Sequence, residues 1–321
     1  MNQTSSLRLA AIDIGTHSVR CMVAEAQPDG SYQLLDDIRV STALGKDIAL
    51  SRKISPEARQ RLMTALRRII TTLESLNVST VSLTATSALR TAKNGNSIKA
   101  EIQRVFGVDL KRISGDEEAL IVFESAAYSL DLGAGRFAVA DIGGGSVEIS
   151  LGTADAGAVQ VFSLDIGAVY LTDRIVRSDP VCKDEWHEIA KTVRTALTKN
   201  LEKGSVQTPL LVGTGGTFTT LAAVHMALQS RKNHLHGYEM KAVDLEKTSM
   251  FLSGKTTAEL KKTAGIPYDR AEIVPAGTSA AIEIIRFLGA KRIVICDRGL
   301  REGLLLRLIR KNLQAMPAQA G

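Results

Sequence analysis

Cysteine is scarce. The 321 residues hold three, Cys21, Cys182 and Cys296, an odd number set far apart. That spacing is not a disulfide framework, no Cys-x-x-Cys or Cys/His cluster points to zinc, and a reducing compartment, the cytoplasm, is expected. Two of the three lie in apolar, strand-like runs where a small buried thiol is the ordinary reading. Aromatic residues make up only 4% and form no stacking platform within a basic stretch, which argues against nucleic acid as a partner. No apolar run approaches the ~20 residues that span a bilayer, so no membrane partner is expected. The opening, MNQTSSLRLAAID, is polar and passes directly into a strand, without the basic and apolar regions of a signal peptide.

Hydrophobic residues at 45% and charged residues at 23% are the balance of an ordinary globular chain. Its length suits two domains rather than one core. The formal net charge of +6 is compatible with an anionic ligand. Residues 7–13 and 19–24 read as strands around the turn IGTHS, and YQLLDD as a third strand after QPDGS. Ser55-Pro56 opens a helix with Leu62, Leu66, Ile69, Leu73 and Leu76 on one face. A β-branched strand spans 78–86, and a helix over 97–106 is closed by Gly107. Further on, a helix begins at DEWHE, PLLVG (209–213) is a strand, a helix follows TGGT, Pro275 and Gly277 interrupt a helical stretch over 269–288, and KRIVIC is a strand. The last helix covers 301–313, followed by a frayed tail, QAMPAQAG.

The second half repeats the first. A shift of 128 places Asp141 on Asp13, Gly143 on Gly15, Ser146 on Ser18 and Val147 on Val19, with TADAG falling near QPDGS. This is a duplication on the scale of a domain, far longer than a solenoid period. It would set two glycine turns, DIGTHS and DIGGGS, across one cleft.

Both turns have the make-up of a phosphate grip. Glycine lets backbone N–H groups approach an oxygen, and a hydroxyl adds a donor. One such turn alone is equally a plain hairpin, but two matched copies favour function. Gly15, Thr16, His17, Ser18, Gly143, Gly144, Gly145 and Ser146 are therefore candidate phosphate contacts. An aspartate before each turn would repel phosphate directly, and makes sense holding hydrated Mg²⁺; Asp13, Asp141 and Glu148 are candidate ligands, through water. A third turn, VGTGGTF, leads from strand into helix, where Gly213, Thr214 and Gly215 could grip an anion. Neither a Walker loop nor a Rossmann fingerprint is present. Ser87 and Arg90 in ATSALRTAKNG follow a strand, with Arg90 either a fork on phosphate oxygens or a solvated loop arginine; Arg20 sits beside the first turn. In ISGDEEALIVF, Ser114 and Glu117 fit a capping box. Glu118 has no such duty and is either a surface glutamate or the base that activates a water. Its place at a helix N-terminus predicts a well-ionised, weak base. The two histidines of HLHGY read as a loop or interface, and His187 and His225 as structural helix residues.

These blocks, DIGTHSVR, DIGGGSVE, ATSALRTAKN, SGDEEA, VGTGGT, HGY and GLREG, in this order from about Leu9 to Leu306, resemble the exopolyphosphatase / guanosine pentaphosphate phosphohydrolase (Ppx/GppA) family. The resemblance implies an α/β fold of two actin-like ATPase (ribonuclease H-like) domains with an interdomain cleft. Domain I would cover 1–122 plus about 300–321, its last helix packing back, and domain II 123–299. It implies Mg²⁺-dependent hydrolysis of a terminal phosphoanhydride of polyphosphate or pppGpp, water activated by Glu118, and a homodimer. The family's first turn is usually DIGSNS; Thr16 keeps the hydroxyl, whereas His17 donates to phosphate or makes that contact pH-sensitive. Long members carry a further helical domain that helps hold long polyphosphate, and processive long-chain degradation is not expected of a chain ending after one actin-like unit. A kinase or ATPase of the same superfamily, or a non-catalytic (p)ppGpp sensor, are the competing readings.

Overall fold

A computed structural model describes residues 7–46, 48–202, 204–231 and 234–315. The first six residues of the polar opening and the end of the expected tail lie outside them. The chain runs β1 (Leu7–Ile14), β2 (Ser18–Ala26), β3 (Tyr32–Ser41), α1 (Ile48–Ser51), α2 (Pro56–Ser75), β4 (Thr80–Ala85), α3 (Ser87–Thr91), α4 (Gly95–Phe106), β5 (Leu110–Arg112) and α5 (Gly115–Ser129). The second half follows with β6 (Phe137–Ile142), β7 (Val147–Thr153), β8 (Gly157–Leu164), α6 (Ala168–Ile175), α7 (Lys183–Asn200), β9 (Leu210–Thr214) and α8 (Gly215–Leu228). It closes with β10 (Glu239–Lys241), α9 (Ala242–Leu252), α10 (Thr257–Leu260), α11 (Val274–Leu288), β11 (Arg292–Ile295) and α12 (Leu300–Ala315).

The strands build two mixed sheets of one design. The first is ordered β3-β2-β1-β4-β5; the second, read from its other edge, is β8-β7-β6-β9-β11 with β10 added outside. In each, two hairpins are followed by parallel pairing of the first, fourth and fifth strands. The register repeats to the residue. Asp13 faces Arg20 across the first hairpin, and Asp141 faces Glu148 across the second. A bulge interrupts β2 between Val23 and Ala24, and β7 between Leu151 and Gly152, the same place 128 residues on. This doubled, cleft-bearing α/β architecture is the actin-like ATPase fold.

Strand periodicity sorts the core. In β1, Ala10, Ile12 and Ile14 face α2 and α4, where Leu62, Leu66 and Ile69 are buried, whereas Leu9 and Ala11 face the other way. In β6, Ala138, Ala140 and Ile142 join the core of the second sheet, and Phe137 and Val139 turn from it. The two outward sets meet in a third cluster filled by Ile121, Val122 and Phe123 of α5 and Leu304, Leu305 and Ile309 of α12. Both helices thus lie between the sheets, and α5 runs unbroken through residue 122, across the expected domain boundary.

Ser55 caps α2 by accepting from the Ala58 amide at 3.2 Å, with Pro56 in the first turn as expected. Pro275 and Gly277 do not interrupt a helix. Tyr268–Arg270 is a separate 3-10 turn, and α11 starts at Val274, so the proline occupies a first-turn position whose N–H needs no partner. The last helix extends to Ala315, into the segment expected to fray. Among the described residues, no helix is long and apolar enough to cross a membrane.

Cys21 and Cys296 are fully buried and Cys182 is exposed. Burial pushes the Cys21 thiol up to about 12 and that of Cys296 to about 11, so neither ionises at neutral pH. A thiol reagent at pH 8 is expected to titrate Cys182 alone in the native protein and all three cysteines in denaturant; two fast native thiols would contradict this packing.

Candidate active site

The two glycine turns are closed alike: the Gly15 amide donates to Ser18 O at 3.1 Å, and that of Gly143 to Ser146 O at 3.0 Å. Each is also braced from behind through its carbonyls. Thr16 O accepts from Gly45 N at 2.8 Å, and His17 O from Thr42 N and Ala43 N. In the second turn the carbonyls of Gly143, Gly144 and Gly145 accept from the amides of Gly167 to Tyr170 at the start of α6. Among the described residues, the N–H groups of Thr16, His17, Gly144 and Gly145 take no protein partner. Backbone donors held this way form an anion nest. The brace leaves no room for a methyl at Gly167, whose Cβ would stand 2.4 Å from Gly144 C and 2.5 Å from Gly145 N. Gly167→Ala must therefore shift the second turn. We expect kcat/KM to fall on the order of 100-fold with the circular dichroism spectrum retained; unchanged kinetics would mean the brace is not needed.

The turns face each other across a cavity of about 410 Å³. Its wall takes in Asp13, Gly15, Thr16, His17, Ser18 and Arg20 from the first half, with Ser87 and Glu118. From the second half come Asp141, Gly143, Gly144, Gly145, Ser146, Thr214 and Gly215. Three expected contacts lie elsewhere. Gly213 packs on Phe218, inside the sheet–helix layer. Arg90 is absent from the cavity wall and donates through Nη1 to Ile113 O at 3.1 Å and to Glu118 Oε2 at 3.2 Å, with its Nη2 buried and unpartnered. Glu148 is 2% exposed, behind the wall, and accepts from Ser163 Oγ at 2.9 Å.

Glu118 enters from the first turn of α5. Ser114 caps that helix by accepting from the Glu117 amide at 3.1 Å. The Glu117 carboxylate does not complete the capping box; it pairs with Lys111 on the surface. Glu118 is only 8% exposed. Burial, and then the neighbouring Glu148 carboxylate, push its pKa well above the ordinary value, against the pull of Arg90. Desolvation and a like charge thus act against the helix dipole that was expected to make it a weak base. Burial and Asp141 likewise raise Glu148, to about 8.

Asp13 and Asp141 stand at the ends of equivalent strands. Desolvation raises each to about 6, offset in part by Arg20. Asp13 Oδ1 and Thr214 Oγ1 are buried without partners. Among the described residues, no three Asp, Glu, His or Cys side chains are grouped closely enough to hold an ion directly. Two underpaired carboxylates facing one polar cavity do fit a hydrated divalent cation, held through water.

The cavity also holds residues that carry no motif. Arg270, from the 3-10 turn, is 9% exposed, and its guanidinium fills the space above Gly216. Desolvation and then Arg20 and Arg39 lower its pKa to about 9. Arg39 and Arg301 line the same cavity. At the mouth, Asp269 accepts from Arg39 Nη2 at 2.6 Å and lies 3.2 Å from His17 Nε2. Desolvation, with Arg270, lowers the His17 pKa, so the ring is neutral at physiological pH. The loop HLHGY reaches the cavity through Leu235, while His236 Nδ1 lies 3.0 Å from Asp297, a cavity residue, and its Nε2 meets Ser129 O at 2.9 Å. His225 bonds Tyr238 OH inside the core, and His187 bonds its own helix at Lys183 O on the surface.

The profile of the Ppx/GppA phosphatase family matches residues 22–312. Exopolyphosphatase 2 of Mycobacterium tuberculosis is 30% identical over 319 residues, 94% of this chain and 98% of that one. The guanosine-5'-triphosphate,3'-diphosphate pyrophosphatase of Vibrio atlanticus is 27% identical over 96% of this chain, which spans 61% of that protein. Among solved structures, the Aquifex aeolicus Ppx/GppA family member superposes with a TM-score of 0.79 at 27% identity, covering 95% of this chain and 98% of that one. An exopolyphosphatase from Cytophaga hutchinsonii shares the fold with a TM-score of 0.89 at 24% identity, over 95% of this chain and 98% of that one.

Proposed function

Because the chain belongs to the Ppx/GppA phosphatase family, and so is a hydrolase, we propose that it removes the terminal phosphate of inorganic polyphosphate, of pppGpp, or of both, by attack of water at phosphorus. One observation carries the reading: a buried, proton-hungry Glu118, held by Arg90, opens onto a cavity where two backbone nests converge.

The free amides of both turns, with the Thr16, Ser18, Ser87 and Ser146 hydroxyls, bind the terminal phosphate and meet charge as it grows on its oxygens. Arg20, Arg39, Arg270 and Arg301 bind the rest of the polyanion. Glu118, ionised, accepts the proton of the attacking water as the new O–P bond forms, and the bridging P–O bond to the remaining chain breaks. A carboxyl with raised pKa is a better base than a free glutamate, and Arg90 fixes its direction. Asp13 and Asp141 would hold Mg²⁺ through water, and when bound Mg²⁺ neutralises phosphate charge. Glu148 keeps a second carboxyl beside Glu118 and so keeps its proton affinity high.

The test is phosphate release with Mg²⁺ from long-chain polyphosphate and pppGpp side by side, with ATP as third substrate. Release from either of the first two names the substrate. Preferred turnover of ATP would make it an ATPase or kinase of the same fold, and pppGpp binding without release from any substrate would leave a sensor.

A further inference from the structure

A second cavity, of about 370 Å³, lies behind the first. The two share three wall residues, Thr16, Ser87 and Gly145. The partition is thin: a Cβ at Gly145 would stand 2.4 Å from Ser87 Oγ and 2.8 Å from Thr16 Oγ1, so two small hydroxyls close on a bare α-carbon. Beyond the partition the chamber runs between α1 and α6 to the surface. Arg52 and Arg174, both exposed, line it opposite Asp165, with Ala49 and Tyr170 between them. Its lining therefore carries a net positive charge. Of these outer residues only Tyr170 has a part in the site described above, through its backbone amide on Gly144 O.

We propose that this chamber is the exit for orthophosphate, opened when Thr16 and Ser87 part from Gly145; the proposal rests on the hydrolase reading. In-line attack leaves the freed phosphate innermost, with the shortened polyanion still held by arginines toward the mouth. The front path is then blocked by a bound molecule of the same charge. A second way out passes between the two hydroxyls that gripped the phosphate and into a chamber that attracts anions. Rotation of the hydroxyls alone leaves Ser87 Cβ 3.0 Å from a Cβ placed at Gly145, so the opening also needs the two turns to part.

Two variants test this away from the cavity of the chemistry: Arg52→Glu/Arg174→Glu, which reverses the charge of the chamber, and Ala49→Trp, which fills it. With the substrate that the protein cleaves, acid quench reads cleavage and a phosphate-binding fluorescent sensor reads phosphate free in solution. First-turnover cleavage is expected to stay within about twofold of the parent, while free phosphate lags cleavage about fivefold or more. Steady-state kcat and KM should fall together, and Arg52→Lys/Arg174→Lys should restore both. Free phosphate keeping pace with cleavage in both variants would overturn the proposal. So would a fall in kcat/KM together with first-turnover cleavage, because it would place the arginines in substrate binding. Should the parent cleave neither polyphosphate nor pppGpp, the hydrolase reading fails by itself. Calorimetry with inorganic phosphate then decides the chamber: binding lost in the double glutamate variant keeps it as a phosphate site, and unchanged binding removes it.

Discussion

Glu118→Gln is expected to lower kcat on the order of 10³-fold while KM stays within a few-fold. The amide has nearly the carboxylate's shape and can still bond Arg90, so the α5 N-terminus and the two turns keep their places. What is lost is the proton acceptor. The pH dependence follows the same group. Glu118 must be ionised to act, and burial and Glu148 raise its pKa, so kcat/KM should rise with pH along a limb displaced well above the ordinary carboxylate range. Arg90→Ala should cut kcat less and move that limb further upward, since Arg90 is what favours the ionised form. Phosphate release plotted against pH for the three proteins checks both statements. A Glu118→Gln enzyme retaining more than about a tenth of parental kcat would remove this residue from the chemistry.

Asp13→Asn and Asp141→Asn should abolish more than about 99% of activity at ordinary Mg²⁺ and yet make the metal-free protein more stable. The folded pKa of each is raised from 3.8 to about 6, so holding the charged form costs stability. That cost is absent below the unfolded value and complete above the folded one. In EDTA, the parent should therefore melt at a higher temperature at pH 5.5 than at pH 8, the raised carboxyls of Glu118 and Glu148 adding in the same direction. Each asparagine recovers on the order of 2–3 kcal/mol at pH 8. Mg²⁺ should raise the melting temperature of the parent at pH 8 and that of the variants far less. Equal Mg²⁺ stabilisation of parent and both variants would show that these aspartates do not hold the ion.

Much of this was legible in one sequence because it depends on local chemistry. The glycine turns announce themselves through composition, and the duplication through a fixed offset that the paired bulges of β2 and β7 repeat. Glu118 stood out because Glu117 accounted for the capping position and it did not. Burial was not legible: Glu118 and Glu148 are 30 residues apart in the chain, and only the packing of α5 onto β7 and β8 brings them together. Arg90 follows a strand just as a phosphate arginine would; that α5 begins beside it is tertiary information. Arg270 gives no signal, since it lies in a short 3-10 turn and gains its place by filling the gap above Gly216. Pro275 misled because proline ends a helix from within but starts one from its first turn.

The facing pairs Asp13–Arg20 and Asp141–Glu148 carry one more consequence. Two copies of one half would by themselves present a ligand with two matched surfaces. Opposite charge at one matched position, a cation in the first copy and an acid in the second, removes that equivalence. Arg20 lines the cavity, whereas Glu148 lies behind its wall and accepts from Ser163, so only the first copy turns this position toward a ligand. On the proposed reading a polyanion therefore meets a cation at this position from the first half alone, so an inherited symmetry has become an asymmetry.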